Sequence, residues 1–220
     1  MNEGKAALER ARQNWEQKNF QTAYELYEQL LHDAPNDAEI LREYARAKYV
    51  EYEDLEQAAQ LFERAVAADP NGSISALLCL GELYSCGYGK GYKAALGIYQ
   101  RVLDLDPDNV DAYIGIGMLK GAPELPVSSK EAIEAFRMVT QIAPQRADGH
   151  RNLGMALAEN GETKDWEEAR KEFELAEKLL EQKGKRLLAQ ATKRYRQQLE
   201  AKQTIRGSAY GKTEPMEWDF

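Results

Sequence analysis

Five times along this 220-residue chain an alanine is followed four residues later by an aromatic: Ala23 and Tyr27, Ala58 and Phe62, Ala95 and Tyr99, Ala132 and Phe136, Ala169 and Phe173. Three residues further on stand Leu30, Ala65, Val102, Val139 and Ala176, so each trio lies along one side of an α-helix. Pro35, Pro70, Pro107 and Pro144 close the first four runs at spacings of 35, 37 and 37 residues. Proline lacks the N–H of a helix interior and its ring clashes with the preceding turn, so each marks a helix end. Self-similarity at this period specifies stacked supersecondary units, none of which can bury its apolar face alone.

A second helix precedes each of these. Its marker is a small residue, Ala11, Ala45, Gly81, Gly117 or Gly154, in contexts such as "LLCLGELY" and "RNLGMAL", where another helix must approach closely. Two antiparallel helices per unit follow. The alanine, aromatic and proline spacing resembles the tetratricopeptide repeat family over roughly residues 4–184. The resemblance implies an all-α, right-handed superhelical solenoid of five helical hairpins, with units at about 3–36, 37–71, 72–108, 109–145 and 146–184. A basic capping helix is expected over 185–206 and an extended acidic and aromatic tail over 207–220.

The units exceed the family's period because the turn inside each hairpin carries extra residues, one in the second unit, two in the third and three in each of the last two. In the fourth, Pro123 and Pro126 forbid helix, and Ser128 with Glu131 has capping-box spacing. Asp165 and Glu168 repeat that spacing in the fifth. The third holds Gly87, Gly89 and Gly91 beside Lys90 in "SCGYGKGYK". This is no phosphate loop: the spacing of the Walker motif is missing, as is the strand that a dinucleotide fingerprint follows. The glycines are expected to serve positive φ angles in a tight turn.

Charge and composition narrow the function. A formal charge of −8 opposes general attraction to nucleic acid or anionic membrane, and the first twenty residues lack a secretory signal's apolar stretch. No run is long and apolar enough to span a bilayer, so the expected setting is cytoplasmic, without membrane insertion. Cys79 and Cys86 stand too far apart on one helix for a disulfide, and with only His32 and His150 besides, no metal site or cofactor is expected. No set of residues meets the geometric roles of an active site, so no enzyme and no small-molecule substrate are expected.

Function is expected on the inner groove that, in the family this resembles, the first helix of each unit lines. The positions three before, one after and four after each small marker share one helix face. They are Leu8, Arg12 and Trp15; Arg42, Arg46 and Tyr49; Leu78, Glu82 and Ser85; Ile114, Met118 and Gly121; and Arg151, Met155 and Ala158. The N-terminal end is basic and aromatic and the middle is apolar. A peptide segment or helix of a partner protein, apolar with acidic groups, fits that pattern. The heat-shock-chaperone clamp of the same family is not matched, because Leu8, Arg12, Ser75 and Cys79 stand where it carries basic and amide side chains.

Residues 183–206 hold eight Lys or Arg and one Glu, with an apolar stripe at Leu187, Leu188, Ala191, Tyr195 and Leu199. A cap on the last repeat is the plain reading, and a basic face for nucleic acid or an acidic partner is the alternative. The end of the chain places Met216, Trp218 and Phe220 among Glu214, Glu217 and Asp219, the chemistry of a docking motif that can also mediate self-association. The expected role is thus a scaffold, adaptor or assembly chaperone, with an accessory subunit of a membrane-associated or multi-enzyme complex as the other reading.

Overall fold

The computed structural model describes residues 3–51, 54–122, 127–160 and 163–210, and every regular element among them is helical. Residues 1–127 form one compact unit with α1 (Glu3–Glu16), α2 (Phe20–Asp33), α3 (Ala38–Val50), α4 (Leu55–Ala68), α5 (Ile74–Ser85), α6 (Gly91–Leu105) and α7 (Val110–Met118). Residues 128–220 form a second, with α8 (Ser129–Ile142), α9 (Ala147–Asn160), α10 (Thr163–Gln182) and α11 (Arg186–Tyr210). This is an all-α helical repeat fold. In the first unit the hairpins α1/α2, α3/α4 and α5/α6 stack through α2/α3, α4/α5 and α6/α7, while α1 touches α3 and α5 touches α7. In the second, α8, α9, α10 and α11 pack in succession.

The periodic aromatics form the core. Tyr27, Phe62 and Tyr99 in the first unit and Phe136 and Phe173 in the second are all buried, and so are their alanine partners four residues earlier. Small residues of the neighbouring helices make room for two of them. A Cβ on Gly81 would stand 2.7 Å from the Tyr99 ring, one on Gly115 would stand 2.3 Å from it, and one on Gly154 would stand 3.0 Å from the Phe173 ring. The α6 ring is therefore wedged between two helices whose backbones it touches. Ala11 and Ala45, the small markers of the first two hairpins, are fully buried.

Helix starts follow cap chemistry. Asp37, Asp54, Ser73, Asn109 and Ser128 each accept backbone N–H bonds from the first turn of the helix that follows. Ser128 and Glu131 complete the expected capping box reciprocally. The proline turns are also tied down from outside. The Arg64 guanidinium of α4 donates to the Pro35 carbonyl at 2.6 Å, and Arg101 of α6 donates to the Pro70 carbonyl. Each arginine sits two residues after its periodic aromatic, so the helix that supplies a ring to the core also ties the turn of the hairpin before it.

Several expectations change. Gly87, Gly89 and Gly91 do adopt positive φ, at 89°, 69° and 73°, and Lys90 beside them pairs with Glu63 at 3.2 Å. In the first unit α7 stops at Met118, so Gly121 of the expected stripe lies in the turn that follows, at φ 77°, and Leu119 and Val127 are buried. Pro123 and Pro126 lie outside the described residues. In the fifth hairpin the additional residues extend the helices instead. Asp165 is not an N-cap but the third residue of α10, buried, accepting from Asn160 Nδ2 at 2.6 Å, and Glu168 receives two Arg137 nitrogen contacts at 2.9 Å. α11 continues to Tyr210, so residues 207–210, expected in an extended tail, are helical. Met216, Trp218 and Phe220, with the acidic residues between them, lie outside the described residues.

His150 is buried in α9, with Nδ1 2.6 Å from the Glu172 carboxylate of α10 and Nε2 2.9 Å from the Pro144 carbonyl. Both neighbours are acceptors, so only the doubly protonated ring donates to both. The bond to Glu172 raises the His150 pKa despite the opposing effect of burial. A raised folded-state pKa stabilises fully below the unfolded value, near 6.5, and the contribution disappears as pH rises through the folded value. Urea denaturation of the wild type and His150→Gln at pH 5.5 and 8.5 should therefore show the wild-type advantage shrinking at the higher pH. In the first unit, Gly115→Ala should cost about 1–3 kcal/mol by overpacking against Tyr99. Tyr99→Leu in the same background should recover part of that loss in denaturant midpoint.

Candidate protein-binding face

The face expected to line a groove is held together by polar side chains that bridge successive first helices of the first unit. From α1, Arg12 reaches α3, with Nη2 2.9 Å from Glu39 and Nε 3.4 Å from Glu43. From α3, the Tyr49 hydroxyl donates to Glu82 of α5 at 2.5 Å, while its ring stands edge-on to Phe62 at 6.4 Å. The stripe thus runs continuously from α1 through α3 to α5.

The structure sorts the expected residues by availability. Leu8 is 6% exposed and belongs to the core, because the position three before the small marker turns inward on α1. Arg12 does not offer a free positive charge, since Glu39 and Glu43 already hold it, and Arg42 lies 4.0 Å from Glu43. Arg46 is exposed and forms no ion pair among the described residues. Tyr49, Leu78 and Ile114 are half-buried, Glu82 is exposed, and Met118 is 69% exposed at the end of α7. In the second unit Arg151 and Met155 are half-buried on α9, and the Arg151 Nε is buried with no hydrogen-bond partner.

Within the first unit Arg12, Trp15, Glu16, Tyr27, Glu43, Arg46 and Ala47 enclose a pocket of about 210 Å³. Three of the groove residues expected from spacing, Arg12, Trp15 and Arg46, therefore converge on one cavity. Tyr27 and Glu43 were not among them. Tyr27 reads from its period as core only, and Glu43 falls off the chosen stripe, although its place three residues before the lining Arg46 puts it on that side of α3. The indole Nε1 of Trp15 is buried without an acceptor. Burial and then the charge of Glu43 push the Tyr27 hydroxyl up to about 12, so it remains protonated.

The basic face of α11 is partly neutralised within its own unit. Arg196 sits between Glu177 at 2.8 Å and Glu200 at 2.8 Å, with Glu174 at 3.8 Å, so one of its cations seals α11 to α10. Leu187 is 85% exposed, Leu188 and Tyr195 are less so, and Tyr195 packs its ring on Phe173 at 5.4 Å. Cys79 and Cys86 are both free thiols, and burial pushes Cys79 up to about 11. Among the described residues no group of three or more His, Cys, Asp or Glu is placed to hold a metal ion, and no helix is long and apolar enough to cross a membrane.

Residues 14–80 match the tetratricopeptide repeat family. The structure is similar to a crystal structure of MamA, with a TM-score of 0.69 at 24% identity, covering 84% of this chain and 96% of that one. It is also similar to MamA from Desulfovibrio magneticus RS-1, residue 41 to the end, with a TM-score of 0.70 at 20% identity and coverage of 83% and 97%. A third likeness is to YrrB, described as a TPR protein with an unusual peptide-binding site, with a TM-score of 0.65 at 20% identity and coverage of 86% and 90%. At these identities the likeness is one of fold. No curated protein sequence matches the chain.

Arg12 is the residue that ties α1 to α3 across this face. Its partners are partly exposed, so Arg12→Gln should lower stability by no more than about 1 kcal/mol in urea denaturation. A larger loss would mean that the face is structural.

Proposed function

We propose that this chain, a tetratricopeptide-repeat protein, is a non-catalytic interaction scaffold, an adaptor or assembly chaperone, that holds a segment of a partner protein against the first helices of its N-terminal unit. The observation that carries this reading is the division of labour between the two helices of each hairpin. The second helices put their periodic aromatics into the core, whereas the first helices keep Trp15, Arg46, Tyr49 and Leu78 on a continuous face that packing does not cover completely. Tyr49, held by its bond to Glu82, loses little freedom on binding, which favours recognition. The peptide-binding site named for YrrB supports the same class of ligand, since the folds are alike.

The segment suited to this face is apolar along Leu78 and Ile114 and carries an acidic group near Arg46. The two free thiols agree with a reducing, cytoplasmic setting. The α11 reading, in which the basic helix binds nucleic acid, is weaker because Arg196 already answers three carboxylates of its own unit.

Selection of a random dodecapeptide display library on the full chain tests the proposal. A shared motif should be enriched on wild type, weakened about tenfold or more by Arg46→Glu and by Tyr49→Ala, and unaffected by Gln60→Glu, an exposed position on α4. Enrichment insensitive to both groove substitutions would move the site elsewhere, and no enrichment at all would overturn the reading.

A further inference from the structure

The pocket at the N-terminal end of this face is small, about 210 Å³, and below the range of sites for drug-sized ligands. It is built from donors. The buried Trp15 indole N–H has no acceptor, the 2%-exposed Tyr27 has no hydrogen bond to its hydroxyl among the described residues, and Arg46 has no ion-pair partner there. A buried donor left unpaired costs about 1–3 kcal/mol, and the Trp15 N–H, beside an unpaired hydroxyl and an unpaired guanidinium, describes a place prepared for an acceptor. The pocket's own carboxylates do not fill it. Glu43 faces Arg12 at 3.4 Å and Arg42 at 4.0 Å, and Glu16 is exposed on the rim. Among the charges that act on the Tyr27 hydroxyl, Glu43 and Arg12 come first, then Arg46, and Glu16 is weakest.

We infer that this pocket is an anchoring subsite for one carboxylate side chain, Asp or Glu, of the bound segment, received by the Trp15 N–H, the Tyr27 O–H and the Arg46 guanidinium. The inference rests on the groove reading above and deepens it: Arg12, which the sequence offers as a ligand, instead positions Glu43 and leaves Arg46 as the cation that meets the acid. A carboxylate uses every donor present, and Arg46 supplies the charge-assisted bond that an amide cannot match. Selectivity for acid over amide therefore lies in Arg46, and the Trp15 N–H and Tyr27 O–H fix where the anchor sits.

The indole N–H of Trp15 reports occupancy directly. In ¹H–¹⁵N correlation spectra of the full chain, with the Trp15 signal assigned by its loss in Trp15→Phe, N-acetyl-L-glutamate α-amide at millimolar concentration should move that signal progressively downfield. N-acetyl-L-glutamine amide should act about tenfold more weakly, as should the acid probe on Arg46→Gln. Arg46→Lys should keep part of the response, and Glu16→Gln should strengthen it by removing a like charge from the rim. An equal response to the amide probe, an unchanged titration in Arg46→Gln, or a Trp15 signal that the acid does not move would each overturn the inference. Peptides enriched from the display library without an acidic position, and still bound by Arg46→Gln, would overturn the subsite and leave the groove reading standing. A library with no enriched peptide would end both.

Discussion

A ring from one helix against a residue with little or no side chain on another is the contact on which the rest of this structure depends. Tyr99 of α6 lies against Gly81 of α5 and Gly115 of α7, so one side chain sets the spacing both within a hairpin and to the next helix. Phe173 of α10 against Gly154 of α9 repeats it in the second unit. Such contacts leave no room for adjustment, because packed interiors are as dense as molecular crystals. The consequence for function is indirect but strong. With the second helices fixed by their rings, the first helices are held in register, and the face they present does not have to be ordered when a partner arrives.

Polar contacts then finish what packing begins. The carbonyls of the proline turns would otherwise end a helix without a donor, and Arg64, Arg101 and His150 supply one to Pro35, Pro70 and Pro144 respectively. Along the candidate face of the first unit, Arg12 and Tyr49 stitch α1 to α3 and α3 to α5. The difference between the two sets is exposure to competition. The turn bonds have a single fixed acceptor, whereas the stripe mixes engaged and unengaged groups, and the unengaged ones, Arg46 and the Trp15 indole, are gathered at one end.

Much of this was legible in the sequence because the repeat carries its own geometry. An alanine, an aromatic and a small apolar residue at helical spacing identify a buried stripe without reference to any particular fold, and all five rings occupy buried positions. The cap at Ser128 was legible for the same reason, since its chemistry is local. What failed was local in appearance but decided by tertiary contacts. Asp165 has the spacing of a cap, yet Asn160 captures its carboxylate and α10 begins two residues earlier. Leu8 has the periodicity of a groove residue, but on the first helix of the array the same angle points to the core. α7 ends early at Met118, where Leu119 turns into the core instead of continuing the helix.

The candidate site shows the same limit with a more useful outcome. Spacing put Arg12, Arg42 and Arg46 on one face and made them equivalent, three cations for an acidic partner. Their equivalence ends with their neighbours: Glu39 and Glu43 of α3 lie in reach of Arg12, and Glu43 in reach of Arg42, while Arg46 has no ion pair among the described residues. A single unpaired cation beside a buried, unpaired indole N–H differs in kind from a basic patch. A patch attracts any acid, whereas one guanidinium beside a fixed N–H donor discriminates by geometry. The chemistry that this face offers is therefore set less by how many arginines it carries than by which one its own glutamates leave unpaired.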